Sequence, residues 1–272
     1  MRVGSLFSGI GGIELGFEQA GEYETIWCIE KELYAQAILR KHFPNATIYD
    51  DVTTVDFKQL PPIDIITGGF PCQDISNAGK RTGITGSRSS LWKYCCKALS
   101  ICRPRLAVFE NVSALTQRGL DTVLCDLAQI GYDAEWYCIP ASAVGAPHRR
   151  DRIFILSYPH RSGFIYGQVE KFTTEEGKST QCEFITISKD VAYTDCKRLE
   201  RKYESKHRSW ESKTSSGWGG QWSAEPELGR VAHGVPYRVD RIKCLGNAVV
   251  PTVAKAIAEA IKDRIKLEEE KE

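Results

Sequence analysis

The feature that most constrains this chain is the alternation of short β-branched runs with longer helical patterns through roughly its first 155 residues. Strands are expected at 3–7, 25–29, 46–49, 64–67, 106–109 and 153–157, and helices at 12–20, 34–41, 91–101 and 120–130. A repeated strand–helix–strand pattern buries a parallel sheet under helices on both faces. The fold class that follows is α/β, a doubly wound and mostly parallel sheet. Open sheets of this kind bind ligands at the carboxyl edge of their strands, so the residues just past each strand are the ones to read for chemistry.

The alternation stops near Tyr158, and from there to about Arg230 the chain is polar and weakly periodic. Trp210, Trp218 and Trp222 nevertheless fall close together in it. Their large apolar area calls for burial, so the stretch reads as a small irregular domain with these rings as its mini-core, not as a linker. Gly246–Asn247 then leads into an amphipathic helix at 253–265, whose apolar face should pack back on the first domain, and the LEEEKE tail should fray. The expected organisation is one α/β domain over 1–157, an insert over 158–235 and a returning segment over 236–272.

Composition matters through what it excludes. No run approaches the roughly 18 apolar residues of a membrane span, and MRVGSLFSG lacks the apolar core of a secretory signal. The 10 cysteines are scattered, with no C-x-x-C pair and no zinc spacing. They imply a reducing, cytoplasmic location and no metal, and most should be inert buried hydrophobes. A net charge of +1 conceals two basic stretches. Lys80, Arg81, Arg88, Lys93, Lys97, Arg103 and Arg105 occur between Ile75 and Phe109 without an acidic residue, and 197–213 is also basic. Either is a solvated face or a phosphate-contacting surface, and charge alone does not choose.

The segment LFSGIGGIELGFEQAG carries a strand into a turn with Gly9, Gly11 and Gly12 and then into a helix. Glycines there permit a tight turn and let backbone approach a ligand at the helix N-terminus, although the spacing is not the dinucleotide fingerprint. Glu30 closes the second strand, where a carboxylate can grip ribose hydroxyls, and Asp51 follows the third, where it could meet an adenine amino group; Asp50 is the alternative. Each acid alone is more simply a cap or a solvated turn, but suitable groups at three consecutive strand ends reinforce one another.

The decisive segment is GGFPCQDISNAGKRTGITGSRSSLW. Pro71-Cys72 falls directly after the apolar run at 63–67, so the thiol is presented on a turn at the sheet edge. The long Gly-, Ser- and Lys/Arg-containing loop that follows suits a lid or a binding role. Glu110-Asn111 follows the next strand at the same edge. In HRRDR, Arg150 and Arg152 should alternate onto one face of the strand they open and reach one acceptor.

FSGIGG, GGFPCQ, FENV, R-x-R-I-F and LGNAVVP occur here in the order and spacing of the cytosine-C5 DNA methyltransferases, which the chain resembles over about 3–157 and 228–262. The resemblance implies a fold of the S-adenosylmethionine-dependent methyltransferase type, with a catalytic and cofactor-binding first domain and a target-recognition insert. It implies S-adenosylmethionine held by Phe7, Gly9, Gly11, Gly12, Glu30, Asp51, Pro71 and Asn247. Cys72 would attack C6 of cytosine, Glu110 would serve N3 and the exocyclic amine, Arg152 would hold O2, Arg150 would support the active-site loop and Asn111 would fix the loop bearing Cys72. Duplex DNA is the implied partner, and its target base must be flipped out. Gln73, Ser76, Lys80 and Arg88 are the candidates for contacting phosphate or the vacated gap. A monomer is expected, with a restriction endonuclease as a candidate partner.

Two features depart from the family pattern. His148 stands where glutamine is usual, and GRVAHGVPYRVDRIKCL replaces the customary arginine-rich segment before LGN. An RNA cytosine methyltransferase is the closest rival; many such enzymes carry a second cysteine where this chain has Glu110. A retired scaffold that only binds nucleic acid is countered by the presence of Cys72, Glu110 and Arg152 together. The glycine spacing speaks against an NAD oxidoreductase.

Overall fold

A computed structural model describes residues 1–71, 91–160, 172–173, 179–180 and 237–270. Its strands are β1 (Arg2–Leu6), β2 (Glu24–Ile29), β3 (Thr47–Tyr49), β4 (Ile65–Gly69), β5 (Leu106–Val112), β6 (Tyr132–Ile139) and β7 (Arg152–Pro159), with a two-residue ladder β8 (Phe172–Thr173) and β9 (Ser179–Thr180) apart from them. The helices are α1 (Gly12–Ala20), α2 (Leu33–His42), α3 (Trp92–Cys102), α4 (Leu120–Gln129), α5 (Arg238–Asn247) and α6 (Pro251–Glu269).

The first seven strands form one sheet in the order β3-β2-β1-β4-β5-β7-β6. Strands β3, β2, β1, β4 and β5 pair in parallel, whereas β7 runs antiparallel to both β5 and β6. The doubly wound, mostly parallel α/β fold is therefore present, with the switch in strand order between β1 and β4.

The alternation of side chains along the strands divides the core into two layers. On one face Trp27, Ile29, Ile66 and Phe109 pack with Trp92 and Leu99 of α3 and with Leu120, Val123 and Leu127 of α4. On the other, Val3, Ile65, Val108 and Phe154 pack with Ile13 and Phe17 of α1 and with Val253, Ile257, Ile261 and Ile265 of α6. Helix α2 sends Leu39 and its neighbour Phe43 onto Cys28.

Helix α6 lies against α1 at a separation that only small residues allow. A Cβ on Gly16 would stand 2.4 Å from the Pro251 carbonyl oxygen, and one on Gly12 2.6 Å from that of Val249. Tyr23 Oη donates to the Ala258 carbonyl at 2.7 Å from the end of the same contact. The stretch Val239–Leu267 contains a window apolar enough for a membrane span. It is broken between α5 and α6, and the apolar face of α6 is spent on α1.

Three expectations are corrected. Strand β6 was not anticipated, although Tyr132, Ala134 and Trp136 alternate with Asp133 and Glu135 and put one apolar face of this edge strand on the core. Helix α5 was not anticipated either, and Gly246 and Asn247, which lead into the next helix, are its last residues. The terminal tail stays helical through Glu269, as its straight-chain Leu, Glu and Lys residues permit.

Candidate active site

The carboxyl edge of β1 carries the glycine turn. Phe7, Gly9 and Gly11 all have positive φ (54°, 56° and 81°). Phe7 in that region is strained, which is characteristic of loops shaped for a ligand. Ser8 N–H donates to the Ile29 carbonyl at 3.2 Å, so the turn leans over the end of β2. A Cβ built on Gly9 would meet nothing within 4 Å, leaving open space beside the backbone at that point.

Glu30, just past β2, faces this turn. Its Oε2 accepts from Gly9 N–H at 2.7 Å and its Oε1 from Glu32 N–H at 2.8 Å. Each oxygen retains a lone pair for a further donor, so a carboxylate able to bind a vicinal diol stands beside the open side of the loop. Asp51 accepts from Lys31 Nζ at 2.8 Å and from Thr53 N–H at 2.9 Å. The Lys31 hydrogen bond is the largest cause holding its pKa down at about 2. Asp50 is exposed and accepts from Gln36 at 3.0 Å. Asn247, at the end of α5, is exposed, while the neighbouring Lys243 reaches back to Glu32 at 2.7 Å.

At the next strand ends the structure brings Glu110, Asn111, Arg152 and Pro71 together. Glu110 lies in β5 opposite Gly69 of β4, and a Cβ on Gly69 would come within 3.3 Å of Glu110 Oε2. The missing side chain thus leaves room for the carboxyl beside the chain leading to Pro71. Arg152 opens β7 opposite Val112, which shares a face of β5 with Glu110. Across that diagonal Arg152 Nε donates to Glu110 Oε1 at 2.8 Å, with the two side chains 20% and 10% exposed. Burial nevertheless dominates Glu110 and pushes its pKa up to about 7, against the pull of Arg152 and Arg150. The carboxyl is therefore poised to gain or lose a proton near neutrality.

Asn111 is 2% exposed; its Nδ2 donates to the Phe70 carbonyl at 3.2 Å and its Oδ1 accepts from Val112 N–H at 2.8 Å. The Phe70 ring packs on Trp92, with centroids 4.8 Å apart. The residue before Pro71 is thus gripped at both its backbone and its ring.

Arg150 does not behave as strand alternation implied. It precedes β7, has a φ of 38°, and directs its guanidinium to the carbonyls of Gly246 (2.8 Å) and Ala248. It joins the active-site edge to the break between α5 and α6, and shares no acceptor with Arg152. The left-handed backbone breaks the two-residue periodicity on which the expectation rested.

Cys72, Gln73, Ser76, Lys80 and Arg88 lie outside the described residues, as do Trp210, Trp218 and Trp222. Among the described residues no group of His, Cys, Asp and Glu is placed to hold a metal ion. The sequence reading missed Glu14, a buried carboxyl under the glycine turn, and Gly16; the one available signal for Gly16 was its place one helical turn after Gly12.

Residues 1–227 match the family model described as C-5 cytosine-specific DNA methylase. The chain is 38% identical over 165 residues to the type II methyltransferase M2.BsuMI of Bacillus subtilis (strain 168), covering 58% of this chain and 42% of that protein. It is 31% identical over 212 residues to the type II methyltransferase M.NlaX of Neisseria lactamica, covering 75% of this chain and 65% of the relative. Among solved structures, a prophage-encoded E. coli protein described as a DNA modification methyltransferase aligns with a TM-score of 0.50 and 27% identity, over 58% of this chain and 47% of that one. The chain spans about half the length of several curated relatives it matches.

Proposed function

The chain belongs to the C-5 cytosine-specific DNA methylase family, and on that footing we propose that it transfers a methyl group from S-adenosylmethionine to C5 of a cytosine flipped out of duplex DNA, through a transient Cys72–C6 bond. The observation that carries the reading is the Arg152–Glu110 pair beside Gly69, with the Glu110 carboxyl poised at a pKa of about 7.

Cytosine C5 is too weak a nucleophile to take a methyl group while the ring is aromatic. Attack of the Cys72 thiolate on C6 pushes the C5–C6 π electrons toward C5 and the ring, leaving an enamine-like carbon. Glu110 meets the charge that develops at N3 by sharing or donating its proton, a role suited to an acid half-protonated near neutrality. The Arg152 guanidinium, held by Glu110, directs its remaining donors at the O2 carbonyl. Asn111 fixes the Phe70 carbonyl and hence the start of the loop bearing the thiol. Loss of the C5 proton to solvent, return of the N3 proton to Glu110 and departure of the sulfur as thiolate then restore the aromatic ring and Cys72.

The groups around the glycine turn fit S-adenosylmethionine. Glu30 offers carboxylate oxygens to the ribose hydroxyls, the backbone at Gly9, Gly11 and Gly12 allows close approach, and Phe7, Asp51, Pro71 and Asn247 are assigned to the remaining cofactor contacts. Bound there, the cofactor supplies an electrophilic methyl on sulfonium. Gln73, Ser76, Lys80 and Arg88 are assigned to DNA, and the 158–235 insert to target recognition. The type II relatives suggest a restriction endonuclease as partner and a site of action on cytoplasmic DNA.

The test is transfer of labelled methyl to duplex DNA, with a 5-fluorocytosine duplex as trap. The wild-type chain should form a denaturation-resistant adduct, and Cys72→Ser should abolish both adduct and transfer. Transfer to RNA alone, or transfer that survives C72S, overturns the proposal.

A further inference from the structure

Glu14 is the one carboxyl among the described residues that is wholly enclosed, at 1% exposure, and nothing in the chemistry above uses it. It sits in the first turn of α1, beneath the glycine loop. Its Oε1 accepts from Thr67 Oγ1 of β4 at 2.8 Å. Its Oε2 is buried without a hydrogen-bond partner, and so is Ser5 Oγ of β1. Ser5 and Thr67 are directly opposite each other in the β1–β4 ladder, and the Ser5 hydroxyl acts on the same carboxyl. One proton between Oε2 and the Ser5 hydroxyl therefore satisfies two otherwise orphaned buried atoms.

Leaving such atoms unpaired is costly, so a carboxyl here is an unusual choice over leucine unless it performs a task. Its location suggests the task. Ser5 stands two residues before Phe7, where the glycine turn begins, and Thr67 four residues before Pro71, where the loop bearing Cys72 begins. Burial, the largest influence on Glu14, pushes its pKa up and favours the neutral acid, which can donate from one oxygen and accept on the other.

We propose that Glu14 is a positioning residue: its carboxyl bridges Ser5 and Thr67 and thereby fixes the spacing between the glycine turn and the loop bearing Cys72. The inference rests on the reading above, in which the first loop binds the cofactor and the second carries the nucleophile. Thr67 and Ser5 share the task, and Glu18 of the same helix is the neighbouring acid that reinforces the neutral form. Glutamine preserves the arrangement, its amide oxygen accepting from Thr67 and its NH₂ donating to Ser5. Leucine fills the space and removes both links.

The test compares wild type, Glu14→Gln, Glu14→Leu and Thr67→Val. Melting temperature, steady-state methyl transfer to duplex DNA and S-adenosylhomocysteine affinity by calorimetry are measured well below the melting point of each. Glu14→Leu should lower kcat/KM for S-adenosylmethionine about tenfold or more, the scale expected when one or two buried hydrogen bonds are lost. Thr67→Val should fall in the same direction, and Glu14→Gln should stay within about twofold of wild type. If Glu14→Leu does not fold, Thr67→Val decides alone. Wild-type kinetics in the leucine and valine variants overturn the inference, and so does a glutamine variant as impaired as leucine. A wild-type chain that binds S-adenosylhomocysteine yet methylates no DNA overturns the proposed activity instead, and the affinities of the variants then judge Glu14.

Discussion

Replacing Glu110 with glutamine should change how stability depends on pH, by an amount that follows from burial. Glu110 is 8% exposed, and desolvation raises its pKa from 4.5 to about 7 in spite of the Arg152 and Arg150 guanidiniums. In the unfolded chain it ionises as an ordinary carboxylate. Between these two values the folded protein therefore holds a proton that the unfolded chain has released, and stability falls as pH rises. The contribution is complete below the lower value and is lost once pH passes about 7. At about 1.4 kcal/mol per pKa unit, the loss between pH 5 and pH 8 is about 2–3 kcal/mol. Glutamine keeps the shape and an acceptor for Arg152 Nε but has no proton to release. Urea unfolding followed by tryptophan fluorescence at constant ionic strength gives the stability of both proteins at each pH. The pH-independent consequences of the substitution cancel when the two profiles are compared. Wild type should lose about 2–3 kcal/mol more than Glu110→Gln on going from pH 5 to pH 8. Profiles parallel to within about 1 kcal/mol would refute the argument that burial governs this carboxyl.

Two further substitutions probe the frame around it. Asn111→Ala removes the amide that holds the Phe70 carbonyl at 3.2 Å; unfolding should report a loss of about 1–3 kcal/mol, and kcat for methyl transfer should fall at least about tenfold while KM for S-adenosylmethionine changes little. A rise in KM with kcat intact would place the effect on cofactor binding instead. Gly16→Ala puts a methyl against the Pro251 carbonyl and Ala254; the two helices must separate, and calorimetry should show a destabilisation of about 1–3 kcal/mol, whereas an unchanged melting temperature would mean that the α1–α6 contact is looser than the structure has it.

The alternation of strand and helix made the carboxyl edge legible, because periodicity is local and β-branched runs bounded by turn residues are hard to mistake. Glu30 and Glu110 could be picked from the sequence for the same reason: each directly follows or ends an apolar run. What stayed hidden depends on partners distant in the chain. The acceptors of Arg150 lie 96 and 98 residues away. Its left-handed backbone leaves no periodic trace. Glu14 looks like any acid favoured in a first helical turn, and only the pairing of β1 with β4 encloses it. Lys31 is separated from Asp51 by a helix and a strand, so a residue read as a free acid at the strand end proves to be ion-paired. Strand β6 was also legible in the alternation of Tyr132, Ala134 and Trp136 with Asp133 and Glu135, and it was overlooked because it carries no β-branched run.

The reversal of β7 explains how Arg152 comes to be in the site at all. Glu30 and Asp51 follow a strand, and Glu110 and Asn111 lie at the carboxyl end of one, as an open parallel sheet requires, whereas Arg152 begins one. Had β7 run parallel to β5 over the same span, its first residue would stand opposite Ala107, about 10 Å along the strand from Glu110 and out of reach of its carboxyl. Running antiparallel, the strand starts where β4 and β5 finish, and the register Val112↔Arg152 sets the guanidinium diagonally across from Glu110. The 2.8 Å contact is thus a consequence of topology before it is one of side-chain choice. A one-residue slip of β7 would send Arg152 to the opposite face, toward the layer of α3 and α4, where an unpaired guanidinium is far costlier than in the cleft. Pairing with Glu110 at the edge and the apolar run Ile153–Leu156 behind it therefore select the same register, so the segment that completes the catalytic edge also locks its own place in the sheet.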